Sequence, residues 1–290
     1  MNPAIYLVAD VKALLGEGPV WIAAEQALMW VDIMGRRLFR LDDDGLKEWP
    51  TPVRVGSIAP RAGGGLIAGT DHGFYAITLD GAAPEFTPLF DPEADLPDNR
   101  FNDGKVDRAG RFWAGTMDDT ERQARGALYR LDAVDSCTTI DTGYRVTNGP
   151  AFSPDGTILY HTDSGRRTIY RFPLADNGDV GERTIFAQFT GAEGHPDGMT
   201  VDSEGCLWVA FWDGWALRRF SPAGDMMTIV EVPVQRPTSV VFGGPSLDRL
   251  YVTSARIGLD DSALLVQPFA GALLMVEPGC KGLADRPFAG

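Results

Sequence analysis

Cysteine is scarce in this chain: Cys137, Cys206 and Cys280 are the only three among 290 residues. Three scattered thiols cannot build a disulfide framework, and an odd count points to a reducing compartment. Long apolar runs are absent too. The most apolar late stretch, 263–276, is broken by Gln267 and Pro268, and nothing reaches the ~18–20 residues of a membrane helix. The N-terminus has neither a basic n-region nor a long apolar core, so no signal peptide is read and a soluble, cytoplasmic protein is expected. Basic residues are outnumbered, 26 Lys and Arg against 40 Asp and Glu, for a formal charge of −14. Such a surface repels phosphate backbones, which argues against nucleic acid as a partner and leaves a bound metal cation open. No Ser/His/Asp triad or Gly-x-Ser-x-Gly elbow stands out.

Glycine is abundant, with 34 residues beside 20 prolines, and 44% of the chain is hydrophobic. That composition suits a folded chain that turns often and is built from many short strands. An apolar pair recurs at a strand-like position: Leu28-Met29, Leu66-Ile67, Phe112-Trp113, Leu159-Tyr160, Leu207-Trp208 and Leu250-Tyr251. The spacings between first members are 38, 46, 47, 48 and 43 residues. A second strand-like run follows each pair, from Arg37-Leu38-Phe39-Arg40-Leu41 to Ala272-Leu273-Leu274-Met275-Val276. A third precedes it, separated by turn signals such as Asp107-Arg108-Ala109-Gly110 and Asp202-Ser203-Glu204-Gly205. Six units of three or four strands give the period of an all-β, six-bladed β-propeller, expected to occupy 1–290 as a single domain. The N-terminal strand around Ala4 to Val8 is expected to close the ring, because an open ring exposes sheet edges.

In a propeller the innermost strands line the central channel, so their starting positions meet at one end. Those positions hold Glu17, Gly56, Asn102, Asn148, Asp197 and Thr238. Asn and Asp are common turn residues, and one of them at a strand start would mean little. Four carboxylate or carboxamide groups at equivalent starts point to a metal. Converging hard oxygens suit Ca²⁺, Mg²⁺ or Mn²⁺, with Zn²⁺ and Fe²⁺ left open. The three histidines, His72, His161 and His195, share no repeat position, which argues against a three-His zinc site. His195, just before Pro196-Asp197, reads as an exposed loop histidine, with a proton shuttle or substrate contact at the channel mouth as the alternative. Cys206 reads as core, Trp21 and Trp113 as packing, and the rings of Phe211-Trp212-Asp213-Gly214-Trp215 mostly as blade-to-blade packing, with stacking on a ligand ring as the alternative. The run Asp42-Asp43-Asp44 reads as a solvated turn, and 91–98 as a loop leading to Arg100.

The ordered set of motifs resembles one family over nearly the whole chain. Leu15-Gly16-Glu17-Gly18-Pro19-Val20-Trp21, Arg100-Phe101-Asn102-Asp103-Gly104-Lys105-Val106-Asp107, Asn148-Gly149-Pro150 and Pro196-Asp197-Gly198-Met199 are similar to the SMP-30/gluconolactonase/regucalcin-like (LRE) family. The resemblance implies a six-bladed propeller with one divalent metal in the central channel, bound by Glu17, Asn148 and Asp197. It implies Asn102 as a further ligand or a substrate contact, and Arg100 as a substrate contact. An acidic substrate contact follows the Gly-Thr-Met motif in this family. The register here places Thr120 at that point, with Asp119 and Glu121 one step to either side.

The activity implied is opening of a sugar lactone to an aldonic acid. Asp197 is the expected base toward a metal-activated water, and Arg100 and Asn102, with Asp119 or Thr120, orient the ring. Competing readings are a promiscuous ester or phosphotriester hydrolase, a regucalcin-like calcium-binding regulator, and a scaffold for protein partners. A site with three or four donors leaves open positions, which suit catalysis better than calcium sensing. The expected partner is a small sugar lactone; the oligomeric state is left open by the sequence, with a monomer favoured because propellers are often monomers.

Overall fold

The repeated turns explain how the blades form. In the computed structural model, which describes residues 3–79, 81 and 83–290, Asp107 accepts hydrogen bonds from the backbone N–H groups of Ala109 and Arg111. Its second oxygen takes the indole N–H of Trp113 at 2.8 Å and Arg111 Nε. Asp202 does the same for Glu204, Cys206, Trp208 and Arg219. One carboxylate thus closes the turn and anchors the aromatic residue of the following strand, which is why Asp, Gly and Trp recur at fixed spacing.

Six four-stranded antiparallel sheets result. The innermost strands are Gly16–Ile22, Val55–Pro60, Asn99–Val106, Thr147–Phe152, His195–Val201 and Pro237–Gly243, and they contact one another in ring order. The recurring apolar pairs fall in the second strands, Ala27–Asp32, Leu66–Thr70, Phe112–Asp118, Ile158–Asp163, Leu207–Trp212 and Arg249–Ser254. These strands are buried almost throughout because each is covered by a blade on both faces. Trp30, Trp113 and Trp208 are fully enclosed, and Trp21 and Cys206 are buried, as packing roles require. The fourth strands are outermost; Met226–Glu231, for instance, exposes Met226, Met227 and Ile229.

The ring closes as expected. The N-terminal strand Ile5–Ala9 pairs with Leu273–Val276 and completes the sixth blade from outside. A second closure comes from the C-terminal segment. Gly282 N donates to Leu247 O, Ser203 N to Lys281 O, and Phe288 N to Pro60 O. The segment therefore crosses the face where inner strands end, from the sixth blade to the second and third. Phe288 is fully buried against Phe112, and Asp285 and Arg286 line that end of the channel. Among the described residues all three cysteines are free, and no helix is long and apolar enough to cross a membrane. The only α-helix among them, Asp261–Val266, is one short exposed turn and a half.

Candidate functional site at the channel mouth

Bulges near the start of the inner strands create the site. In the first blade pairing jumps from Glu17↔Val31 to Val20↔Met29; in the third, from Phe101↔Thr116 to Gly104↔Ala114. The fourth jumps from Asn148↔Thr162 to Ala151↔Tyr160, and the fifth from Pro196↔Phe211 to Met199↔Val209. A bulge breaks the alternation of side chains and re-aims a residue. Glu17, Asn102, Asn148 and Asp197, four of the six positions read from the sequence, consequently line one cavity of about 190 Å³. The other two do not contribute. Thr238 turns its hydroxyl to Gly16 O and Thr253. A Cβ on Gly56 would come within 2.5 Å of the carbonyl oxygens of Phe101 and Asn102, so the second blade packs backbone against its neighbour there.

The donors are deeply set: Glu17 is 4% exposed, Asn148 3% and Asp197 5%. Among the described residues neither carboxylate is paired with a cationic side chain. Burial, then the charges of Asp197 and Asp103, pushes Glu17 well above the usual carboxylate range. Burial and then Asp103 do the same to Asp197. Asp103 itself lies on the far side of the bulge, accepts from Gly104 N and Gly149 N, and is raised by burial to about 6. Unpaired buried anions are costly unless a cation shares the site. No group of three or more His, Cys, Asp or Glu side chains gathers among the described residues; the set here is two carboxylates and an amide oxygen. That all-oxygen set fits a hard divalent cation with open coordination positions.

Arg100 borders the donors. Its Nε donates to Asp119 at 2.6 Å and its Nη1 to Phe101 O and Asn102 Oδ1, at 3.2 and 2.7 Å. Among the described residues no group takes its Nη2. Asp119 is also held by Arg54 at 2.8 Å. Burial opposes ionisation of Asp119, but the two guanidiniums hold its carboxyl below the usual range. Burial lowers Arg100 in turn, with Asp119 offsetting part of the effect.

The structure separates the three neighbours after Gly-Thr-Met. Asp119 has both oxygens engaged by arginines and does not line the cavity. Thr120 turns back to Asp118, to which its N–H and hydroxyl both donate. Glu121, in the left-handed region at φ 56°, lines the cavity, and its charge adds to the upward shift of Asp197. His195 and Trp212 line the mouth, whereas Phe211 is core. Loop 91–98 is fastened down by Glu93, which accepts from Asn99, Thr116 and Tyr129. Sequence reading did not single out Ser164, which also lines the cavity.

Fold and site together define a six-bladed propeller with an oxygen-donor cavity at one channel mouth. The chain belongs to the SMP-30/Gluconolactonase/LRE-like family, whose pattern matches residues 15–256. It is 37% identical over 293 residues to a 6-deoxy-6-sulfogluconolactonase of Pseudomonas putida, covering 100% of both chains. It is 39% identical to a pentonolactonase of Haloferax volcanii, covering 88% of this chain and 87% of that one. A crystal structure of a calcium-binding protein, regucalcin, from Agrobacterium tumefaciens superposes with a TM-score of 0.92 at 30% identity, covering 99% and 97%.

Proposed function

We propose that this protein hydrolyses a sugar lactone to its aldonic acid, with one divalent cation held by Glu17, Asn148 and Asp197. The observation that carries the reading is the convergence of two buried, unpaired carboxylates and an amide oxygen on a cavity that Arg100 and Glu121 also line. The lactonase names of relatives at 37% and 39% identity support the substrate class. Calcium, magnesium, manganese, zinc and iron remain the candidate ions.

A bound divalent cation supplies Lewis acidity toward the lactone carbonyl and lowers the pKa of water. The side chains of this chain do the rest. Asp197 accepts the proton from the attacking water as the new C–O bond forms, then returns it to the ring oxygen as the acyl C–O bond breaks. Arg100 is fixed by Asp119 and Asn102, so its unengaged Nη2 is preset to donate to a substrate hydroxyl or to the carbonyl oxygen. Glu121 offers a carboxylate to ring hydroxyls at the position the sequence register gave to Thr120. Asn102 acts indirectly: its oxygen is taken by Arg100 and its NH₂ group by Thr147 O and Asn148 Oδ1.

The test strips the protein with chelator and follows acid release from a panel of pentono- and hexonolactones, sulfonated members included. Each lactone is run with and without Ca²⁺, Mg²⁺, Mn²⁺, Zn²⁺ or Fe²⁺ above the spontaneous rate. Metal-restored turnover of a lactone is expected. Folded protein that binds an ion and turns over no lactone would shift the reading to a calcium-binding role of the regucalcin kind.

A further inference from the structure

Ser164 stands at a junction of the cavity that neither family membership nor the proposed chemistry accounts for. It opens the 3₁₀ turn Ser164–Arg166 after the second strand of the fourth blade and is 7% exposed. Its hydroxyl accepts from Asn148 Nδ2 at 2.8 Å and donates to Pro196 O at 2.5 Å. Its carbonyl receives His195 Nδ1 at 2.9 Å and Arg167 N at 3.0 Å. One residue thus touches the residue before Asp197, the residue before that, and Asn148 itself.

The direction of every bond in this chain is forced. Arg100 can only donate, so Asn102 presents its oxygen to it. The Asn102 NH₂ group then faces Thr147 O, which can only accept, and Asn148 Oδ1. Asn148 therefore presents its NH₂ group to Ser164, and the Ser164 hydroxyl proton is left for Pro196 O, again an obligate acceptor. With a donor-only guanidinium at one end and a carbonyl at the other, the Asn148 amide has one satisfactory orientation. Its oxygen stays on the donor side of the cavity.

We infer that Ser164 is a positioning residue that holds Asn148 and the Pro196-Asp197 backbone in register as a pair of cation ligands. The inference rests on the reading of Asn148 and Asp197 as ligands. Without the hydroxyl, the Asn148 NH₂ group and Pro196 O both lose a buried partner. The amide is then tethered from the Asn102 side alone, and the strand carrying Asp197 loses the bond at Pro196 O while keeping the one from His195 Nδ1 to the Ser164 carbonyl. Groups that orient metal ligands in this way typically change affinity by ~10–100-fold when removed.

The experiment measures binding of Ca²⁺ and Mn²⁺ alone to chelator-stripped protein, by competition with a chromophoric chelator, well below the unfolding temperature. Wild type is expected to bind one ion. Ser164→Ala is expected to bind it ~10–100-fold more weakly, and Ser164→Thr, which keeps the hydroxyl, should recover most of the affinity. If the alanine variant does not fold, Ser164→Cys, with its weak donor and acceptor, should fall between wild type and the expected loss. Affinity equal to wild type in a folded alanine or cysteine variant overturns the inference, as does an equal loss in the threonine variant. A wild-type protein that binds no ion overturns the ligand reading instead.

Discussion

His161 gives the most quantitative test of the fold around the site. It lies in the second strand of the fourth blade, opposite the bulge after Asn148. The side chain is fully buried, and neither Nδ1 nor Nε2 has a partner among the described residues. Tyr144 meets the ring edge to face at 4.8 Å. Burial pushes its pKa from 6.5 down to about 3; nearby Asp141 opposes this and Arg183 adds to it. The folded pKa is thus below the unfolded one, so the neutral ring contributes its full share of stability above about pH 6.5. That share is lost progressively as pH falls toward 3. At ~1.36 kcal/mol per pKa unit, the whole shift corresponds to about 5 kcal/mol, and about 2 kcal/mol is gone by pH 5. His161→Phe keeps an aromatic ring against Tyr144 and removes the titration. Urea unfolding of chelator-treated protein near pH 7.5 and near pH 5 would compare the two chains. Steric costs of the phenyl ring cancel within each chain's own pH difference. With m of ~3 kcal/mol/M, the wild-type midpoint should drop by ~0.7 M more than the variant's. Equal pH dependence in both proteins would refute the assignment of a buried, neutral, unpartnered histidine.

Other outcomes follow from the same geometry. Asp197→Asn should lower metal-restored lactone turnover by ~10²–10⁴-fold, read by indicator-monitored acid release. Arg100→Ala should cost ~100-fold in kcat/KM, and Asp119→Asn a smaller part of it, because Arg100 keeps its bonds to Phe101 and Asn102. Glu121→Gln should raise KM for hydroxylated lactones while Thr120→Ala leaves it nearly unchanged; the opposite pattern would return the substrate contact to Thr120. Asp107→Ala or Asp202→Ala should destabilise the fold by ~3–5 kcal/mol in chemical denaturation, since each leaves an arginine, an indole N–H and turn amides without a buried acceptor.

Much of this architecture was legible because a propeller repeats its demands. Leu28-Met29 and its five counterparts recur because each second strand is covered on both faces, and Asp107 and Asp202 recur with Trp113 and Trp208 because one carboxylate serves turn and indole together. The edge strand Ile5–Ala9 followed from the need to close a ring. The outer strands were harder to see: Met226–Glu231 faces water, so nothing enforces alternation there. The helix Asp261–Val266 buries no residue and left no periodic mark. At the site, the four oxygen-bearing starts were visible as residue types, but the bulges that re-aim them were not. Glu121 rather than Thr120 lines the cavity because Thr120 is drawn back to Asp118, a local bond that spacing does not encode. Ser164 escaped notice because a serine acquires its role only from the neighbours that three other segments bring to it.

The C-terminal segment gives the channel a direction. Asp285 and Arg286 line its far end and Phe288 is buried there against Phe112, so the C-terminal segment lies at the end away from Glu17 and Asp197. Under the proposed function, a lactone would enter and its aldonate leave at the opposite rim, beside Arg100, Trp212 and His195. Under that reading substrate and product share one route, and the acid formed would compete with the lactone for the cavity.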